Sequence, residues 1–173
     1  MKTSIYFAQI VFVSSIAFSM SSCNLISSAG LSSKGLPTAE APAELPSETT
    51  ASEVNIDHSD WNSLLQKYVS KEGMVNYKGF AKDEQKLDAY LQLLSKNKPT
   101  KDWSVQEQLA YYINSYNANT VKLILNNYPT KSIKDIDGAW TKDIVNIGDV
   151  KISLGGIENS ILRKMNEPRI HFA

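Results

Sequence analysis

The sequence predicts an α+β domain in which helices pack on a small antiparallel sheet, with a buried central helix near 104–127. Three observations carry that expectation. Apolar residues recur at spacings of three, four and seven ahead of residue 100, the period of a helix with one buried face. The stretch from Trp103 to Tyr128 carries a start signal and a stop signal for one long helix. After Pro129 two short apolar runs flank Gly148-Asp149, the pattern of a hairpin.

The first helix is expected near Ser59, capped by Asp57 or Ser59 and carrying Trp61, Leu64, Leu65 and Tyr68 on one stripe, and Gly73 stops it. Met74 to Tyr77 reads as a short strand. A second helix from about Asp83 carries Leu87, Tyr90, Leu91 and Leu94 and ends before Pro99.

The central helix begins at Ser104, which with Glu107 three residues on makes a capping box, and it ends before Pro129, which cannot donate a helix hydrogen bond. Winding it at about 100° per residue puts Leu109, Tyr112, Ile113, Tyr116, Thr120, Val121, Leu123 and Ile124 on one arc, with Gln108, Ser115, Lys122 and Asn126 opposite. Asn117 falls within the apolar arc and Asn114 at its edge. An unpaired buried amide costs about 1–3 kcal/mol, so each is expected either to satisfy loop backbone or to wall a functional cleft.

Beyond Pro129, Ile144–Ile147 and Val150–Leu154 are the hairpin strands. A helix from about Gly156 to Lys164 carries Ile157, Ile161 and Leu162, with Gly155 and Gly156 weakening its first turn. Arg169 to Ala173 alternates, with Ile170 and Phe172 on one face and Arg169, His171 and Ala173 on the other, the period of a last strand.

The 173 residues, balanced at 18 basic and 18 acidic side chains, are enough for one domain with additional segments. Without a Lys/Arg-rich block there is no basic stripe to displace phosphate counterions, so nucleic acid is not an expected partner. Cys23 is the single cysteine, which permits no internal disulfide. Its setting, an apolar run from Ile5 to Phe18 and then Met20-Ser21-Ser22-Cys23, resembles a bacterial lipoprotein signal. Residues 1–22 are accordingly read as signal peptide, 23–55 as the lipid-attachment cysteine and a flexible Ser/Ala/Pro-rich linker, and 56–173 as the globular domain. The implied location is the cell envelope, lipid-anchored to a membrane through Cys23.

No phosphate-binding loop, dinucleotide fingerprint, nucleophile elbow or His-Glu-x-x-His pair occurs. Asp135-Ile136-Asp137-Gly138 lacks the remaining ligands of a calcium loop and reads as a turn. Asp57-His58-Ser59-Asp60 reads as helix-start capping. No metal and no cofactor is expected.

Ala110-Tyr111-Tyr112-Ile113-Asn114-Ser115-Tyr116-Asn117-Ala118, Tyr128-Pro129 with Lys131-Ser132-Ile133, Ile157-Glu158, Ile161-Leu162-Arg163 and Glu167-Pro168-Arg169-Ile170-His171-Phe172-Ala173 together resemble the family named domain of unknown function 547, from about Trp61 onward. Tyr112 stands where tryptophan is common and Asn159 where a histidine often follows the glutamate. By analogy the resemblance implies a papain-like or transglutaminase-like fold. It also implies a continuation that contains a cysteine, so the domain is expected to be incomplete at its C-terminus.

His171 is the leading candidate for chemistry, since an imidazole with an ordinary pKa of about 6.5 suits proton transfer near neutrality. With Glu158 orienting His171, and Asn114 or Asn117 donating to a developing oxyanion, these four would form the support half of a thiol-dependent hydrolase or acyl-transfer site that lacks its nucleophile in this chain. Arg169 and Tyr116 are the candidates for holding substrate. The structural alternative is an ion pair, Glu158 with Arg169 or Arg163 with Glu167, because five residues of helix separate Glu158 and Arg163 onto different faces. The competing function is a non-catalytic surface module that binds a peptide, glycan or protein partner.

Overall fold

The computed structural model describes Lys34, Leu36, residues 56–167 and Ile170. Helix α1 (Ser59–Tyr68) is followed by the short α2 (Tyr77–Phe80), a 3-10 turn at Ala81–Asp83, and α3 (Glu84–Lys96). The central helix α4 spans Val105–Asn126. A 3-10 turn at Ile133–Asp135 leads to strands β1 (Asp143–Ile147) and β2 (Val150–Ser153), then to α5 (Leu154–Ser160) and a last 3-10 turn at Leu162–Met165. The helices pack around the two-stranded antiparallel hairpin, which is the α+β arrangement that the periodicities predict.

The start of α1 is tied down by Asp57, whose Oδ1 accepts the Ser59 amide at 2.8 Å. Its apolar stripe buries Trp61, Leu64 and Tyr68. Trp61 stacks on Tyr90 of α3 at 5.6 Å and lies 6.2 Å from Phe80. Met74–Tyr77 is not a strand. Its extended part is a single antiparallel bridge between Val75 and Val69, after which the Asn76 side chain caps α2 by accepting the Gly79 amide. An asparagine three residues ahead of glycine makes a helix start out of a run that β-propensity alone reads as extended.

In the hairpin Ile147 pairs with Val150 and Val145 with Ile152. Val145, Ile147 and Ile152 face the core while Asn146 and Lys151 face out. Gly148 turns at φ +60°, and its amide donates to the Ser95 carbonyl at 2.7 Å, fastening the turn to the end of α3. Leu154, read as the last residue of β2, instead opens α5, because the Ser153 hydroxyl caps the helix by accepting the Gly156 amide. The paired glycines permit close approach. A Cβ on Gly155 would stand 2.7 Å from the Trp140 carbonyl oxygen, to which the Gly155 amide donates.

Two features depart from the sequence expectation. The stretch read as a linker is held to the domain at two described points: Leu36 is 1% exposed within the core, and Lys34 pairs with Asp143 at 3.2 Å. The last strand expected over 169–173 is not formed at Ile170, whose amide closes a one-turn bond to the Glu167 carbonyl. The other residues of that segment lie outside the described residues.

Helix α4 is buried on a wider and different arc than its apolar residues suggest. The Ser104 hydroxyl accepts the Glu107 amide, as a capping box requires, and Glu107 Oε1 accepts the amide of Ile56. Gln108 and Ser115, assigned to the side opposite the apolar arc, are each 1% exposed. That side packs on α3: Tyr111 donates to the Leu94 carbonyl, and Lys122 reaches both Glu84 and Asp88 at 2.7 and 2.6 Å. Gln108 is accommodated because its Nε2 donates to the Trp103 carbonyl at 3.0 Å. Among the described residues, no helix is long and apolar enough to cross a membrane.

Candidate functional site

With the opposite side of α4 committed to α3, part of its apolar arc is left half-exposed, and it opens on a cleft. Ile113, Tyr116 and Asn117 form one wall. Glu158 of α5, Leu162 and Arg163 of the last 3-10 turn, and Ile170 form the other. The cleft holds about 230 Å³, below the roughly 300–1,000 Å³ of pockets for drug-sized ligands.

The second wall depends on how α5 ends. Ile161 leaves helical geometry at φ −121°, ψ −74°, and Leu162–Met165 continues as a 3-10 turn that Asn166 closes with a left-handed φ of +50°. The 3.6-residue period therefore does not carry across Ile161. Glu158 and Arg163 come together, Arg163 Nη2 donating to Glu158 Oε1 at 2.6 Å. This corrects the expectation that five residues of continuous helix hold them apart, and it replaces the expected Arg163–Glu167 pair. Both side chains stay partly solvated, at 52% and 37% exposure for Arg163 and Glu158, so the pair is a feature of the rim and contributes little to stability.

Three sequence candidates, Tyr116, Asn117 and Glu158, line one cleft. Asn114 is half-buried and does not line it. The Asn117 amide, expected to be tied into a core network, is half-buried, and among the described residues nothing hydrogen-bonds its side chain. It needs no internal partner because it faces the opening. Arg169, His171 and Cys23 lie outside the described residues, although Ile170, between the first two in the chain, lines the cleft.

Sequence reasoning missed Ile113, Leu162, Arg163 and Ile170 as site residues. The three apolar side chains carry no signal that distinguishes a cleft wall from a core, and the position of Arg163 rests on the break at Ile161.

A second polar cluster lies at the start of α1. His58 Nδ1 is 2.7 Å from the Tyr90 hydroxyl, while His58 Nε2 and Trp61 Nε1 are buried without a partner among the described residues. Burial holds the imidazole below its ordinary pKa, against the opposing pull of Glu107 and Asp57. Burial likewise pushes the Tyr90 and Tyr111 hydroxyls far above their ordinary range. The two tyrosine hydroxyls are thereby held protonated, and none of these groups lines the cleft.

The wall built from α4, the broken end of α5 and Ile170 is also where the chain is similar to other proteins. Residues 100–173 match the family described as Protein of unknown function, DUF547. The DUF547 match starts at Thr100, short of the Trp61 boundary that the motifs suggest, and takes in every described residue that lines the cleft, whereas α1, α2 and α3 precede it. No curated protein and no solved structure matches the chain, so the likeness to papain-like or transglutaminase-like folds rests on analogy alone.

Proposed function

We propose that this chain is a lipid-anchored cell-envelope protein whose domain presents the cleft between α4 and the end of α5 as a binding site for a peptide, glycan or protein partner. The observation that carries this reading is the Asn117 carboxamide. It is half-buried on an otherwise apolar helix face, and no described residue hydrogen-bonds it. A polar group held without an internal partner, beside apolar walls and an ion pair, supports a role in contacting something from outside. The anchor rests on the sequence around Cys23. To test the cleft, backbone amide shifts would be followed during a screen of small peptides and saccharides. Perturbations grouped at 113–117 and 158–163 are expected, and a screen that moves only scattered surface amides would end the binding reading.

A second reading, a thiol-dependent hydrolase or acyl transferase, is favoured by one observation. Ile170 lines the cleft with Glu158 and Asn117, and His171 is the next residue in the sequence. It needs a cysteine encoded downstream of Ala173. Alkylation of such a cysteine should titrate well below the ordinary thiol pKa of about 8.5 and shift in His171→Ala. An ordinary thiol profile indifferent to His171→Ala leaves the binding module.

A further inference from the structure

The chemistry of the cleft selects among the ligand classes that the binding reading leaves open. Among the described residues its apolar part is Ile113, Leu162 and Ile170, which are aliphatic, together with the ring of Tyr116. Its charged part is already neutralised, since Glu158 and Arg163 pair at 2.6 Å. A charged ligand would have to compete with that pair, so the described lining residues carry no net charge to attract an anion or a cation. The pair nevertheless keeps hydrogen-bonding capacity, because Arg163 has further N–H donors and Glu158 a second carboxylate oxygen. Across from it, the Asn117 carboxamide offers both a donor and an acceptor.

One donor and one acceptor side by side, uncharged, is the signature of a peptide group. A volume of about 230 Å³ suits one aliphatic side chain with the backbone on either side of it. A saccharide is a poorer fit. Its ring could lie on Tyr116, but its hydroxyls would face Ile113, Leu162 and Ile170, which can neither donate nor accept.

We propose that the cleft takes a short, uncharged, extended peptide segment, seating one aliphatic side chain between Ile113, Leu162 and Ile170 and holding the adjoining peptide group between Asn117 and the Glu158–Arg163 pair. This rests on the cleft being a binding site at all. The test titrates the full chain with N-acetylated, C-amidated tripeptides whose central residue is Leu, Ala, Lys or Glu, and with N-acetylglucosamine, reading amide shifts at 113–117 and 158–163. The Leu peptide is expected to bind at least about tenfold more tightly than the Ala peptide, on the scale by which apolar pockets discriminate side-chain size. Asn117→Ala should weaken it by about tenfold with an unchanged melting temperature, as loss of one hydrogen-bonding group predicts.

Preference for the Lys or Glu peptide, or for the saccharide, at the same amides would overturn the peptide class while leaving the binding site in place. Shifts at those amides that ignore Asn117→Ala would overturn the assignment of the peptide group. No shift at those amides with any probe would remove the binding site itself, and this inference with it.

Discussion

The Tyr111 hydroxyl donates to the Leu94 carbonyl at 2.7 Å inside the buried interface between α3 and α4. Leu94 sits near the end of α3, where carbonyls lack a helical partner, so this bond satisfies a helix terminus from a neighbouring helix. The same carbonyl also accepts the Asn97 amide at 3.2 Å. Tyr111→Phe therefore does not strand it. The expected cost is about 0.5–1.5 kcal/mol, the net value of one hydrogen bond, measured by denaturant unfolding. A loss above about 3 kcal/mol would mean that the hydroxyl supports more than this carbonyl.

Leu36 tests how the stretch ahead of residue 56 is held. A fully buried leucine cut to alanine costs about 2–5 kcal/mol when its surroundings cannot collapse. Leu36, however, can contribute no more than the docking of its whole segment. Leu36→Ala and deletion of residues 24–55 should therefore both lower the melting temperature, the deletion by at least as much. A deletion that leaves melting unchanged would show that Leu36 is not held in the core in solution.

His58 sets an acid limit on stability. The unfolded chain protonates it at about 6.5, and the folded protein only at lower pH, because burial disfavours the charged ring. Between those two values the unfolded state binds more protons, so stability falls as the pH drops below about 6.5 and levels off below the folded pKa. Tyr90 faces the ring from α3, Glu107 acts on it from α4 and Asp57 from its own segment; the two carboxylates moderate the effect without reversing it. In His58→Gln that part of the fall in stability as the pH drops below about 6.5 should disappear. An unchanged slope would assign it to other groups.

Gly155→Ala offers a test of sign. Helix propensity alone favours alanine by about 1 kcal/mol, yet the new Cβ would meet the Trp140 carbonyl oxygen at 2.7 Å, a backbone atom that cannot turn aside. Net destabilisation of about 1–3 kcal/mol is expected, as for overpacking elsewhere. Since α5 carries Glu158, amide shifts should also move around the cleft. A more stable Gly155→Ala would show that the 140–155 contact yields easily.

Asn117→Leu separates cleft from core. Because the amide lines the opening, stability should stay within about 0.5 kcal/mol, as for surface changes. A large drop in the unfolding midpoint would restore the expectation of a buried polar network.

Much of this fold was legible wherever the signal is local. The Ser104/Glu107 start, the Gly148-Asp149 turn and the stripes of α1 and α3 each depend on neighbours within a few residues, and each formed where expected. What could not be read is what tertiary contact decides. Gln108, Ser115 and Lys122 look like a solvent face, but α3 covers that side; Gln108 and Lys122 meet a carbonyl and two carboxylates that no helical wheel displays, and the Ser115 hydroxyl is buried without a partner among the described residues. Glu158 and Arg163 look separated for as long as the helix is assumed to continue. The candidate site was accordingly half legible: Tyr116, Asn117 and Glu158 carry visible polarity, whereas Leu162 and Arg163 reach the cleft only through the backbone at Ile161.

The bond from the Ile56 amide to Glu107 Oε1 joins residues 51 positions apart, and the aromatic partners of Trp61, Phe80 and Tyr90, also come later in the chain. During synthesis at about 5–20 residues per second, the segment around Ile56 and Trp61 waits roughly 3–10 s for Glu107 to be made. Until then the ring of Trp61 and the side chain of Leu64 have no completed surface to cover them. Nascent chains arrested before Glu107 should be cut by protease within α1, and chains arrested well beyond the hairpin should resist.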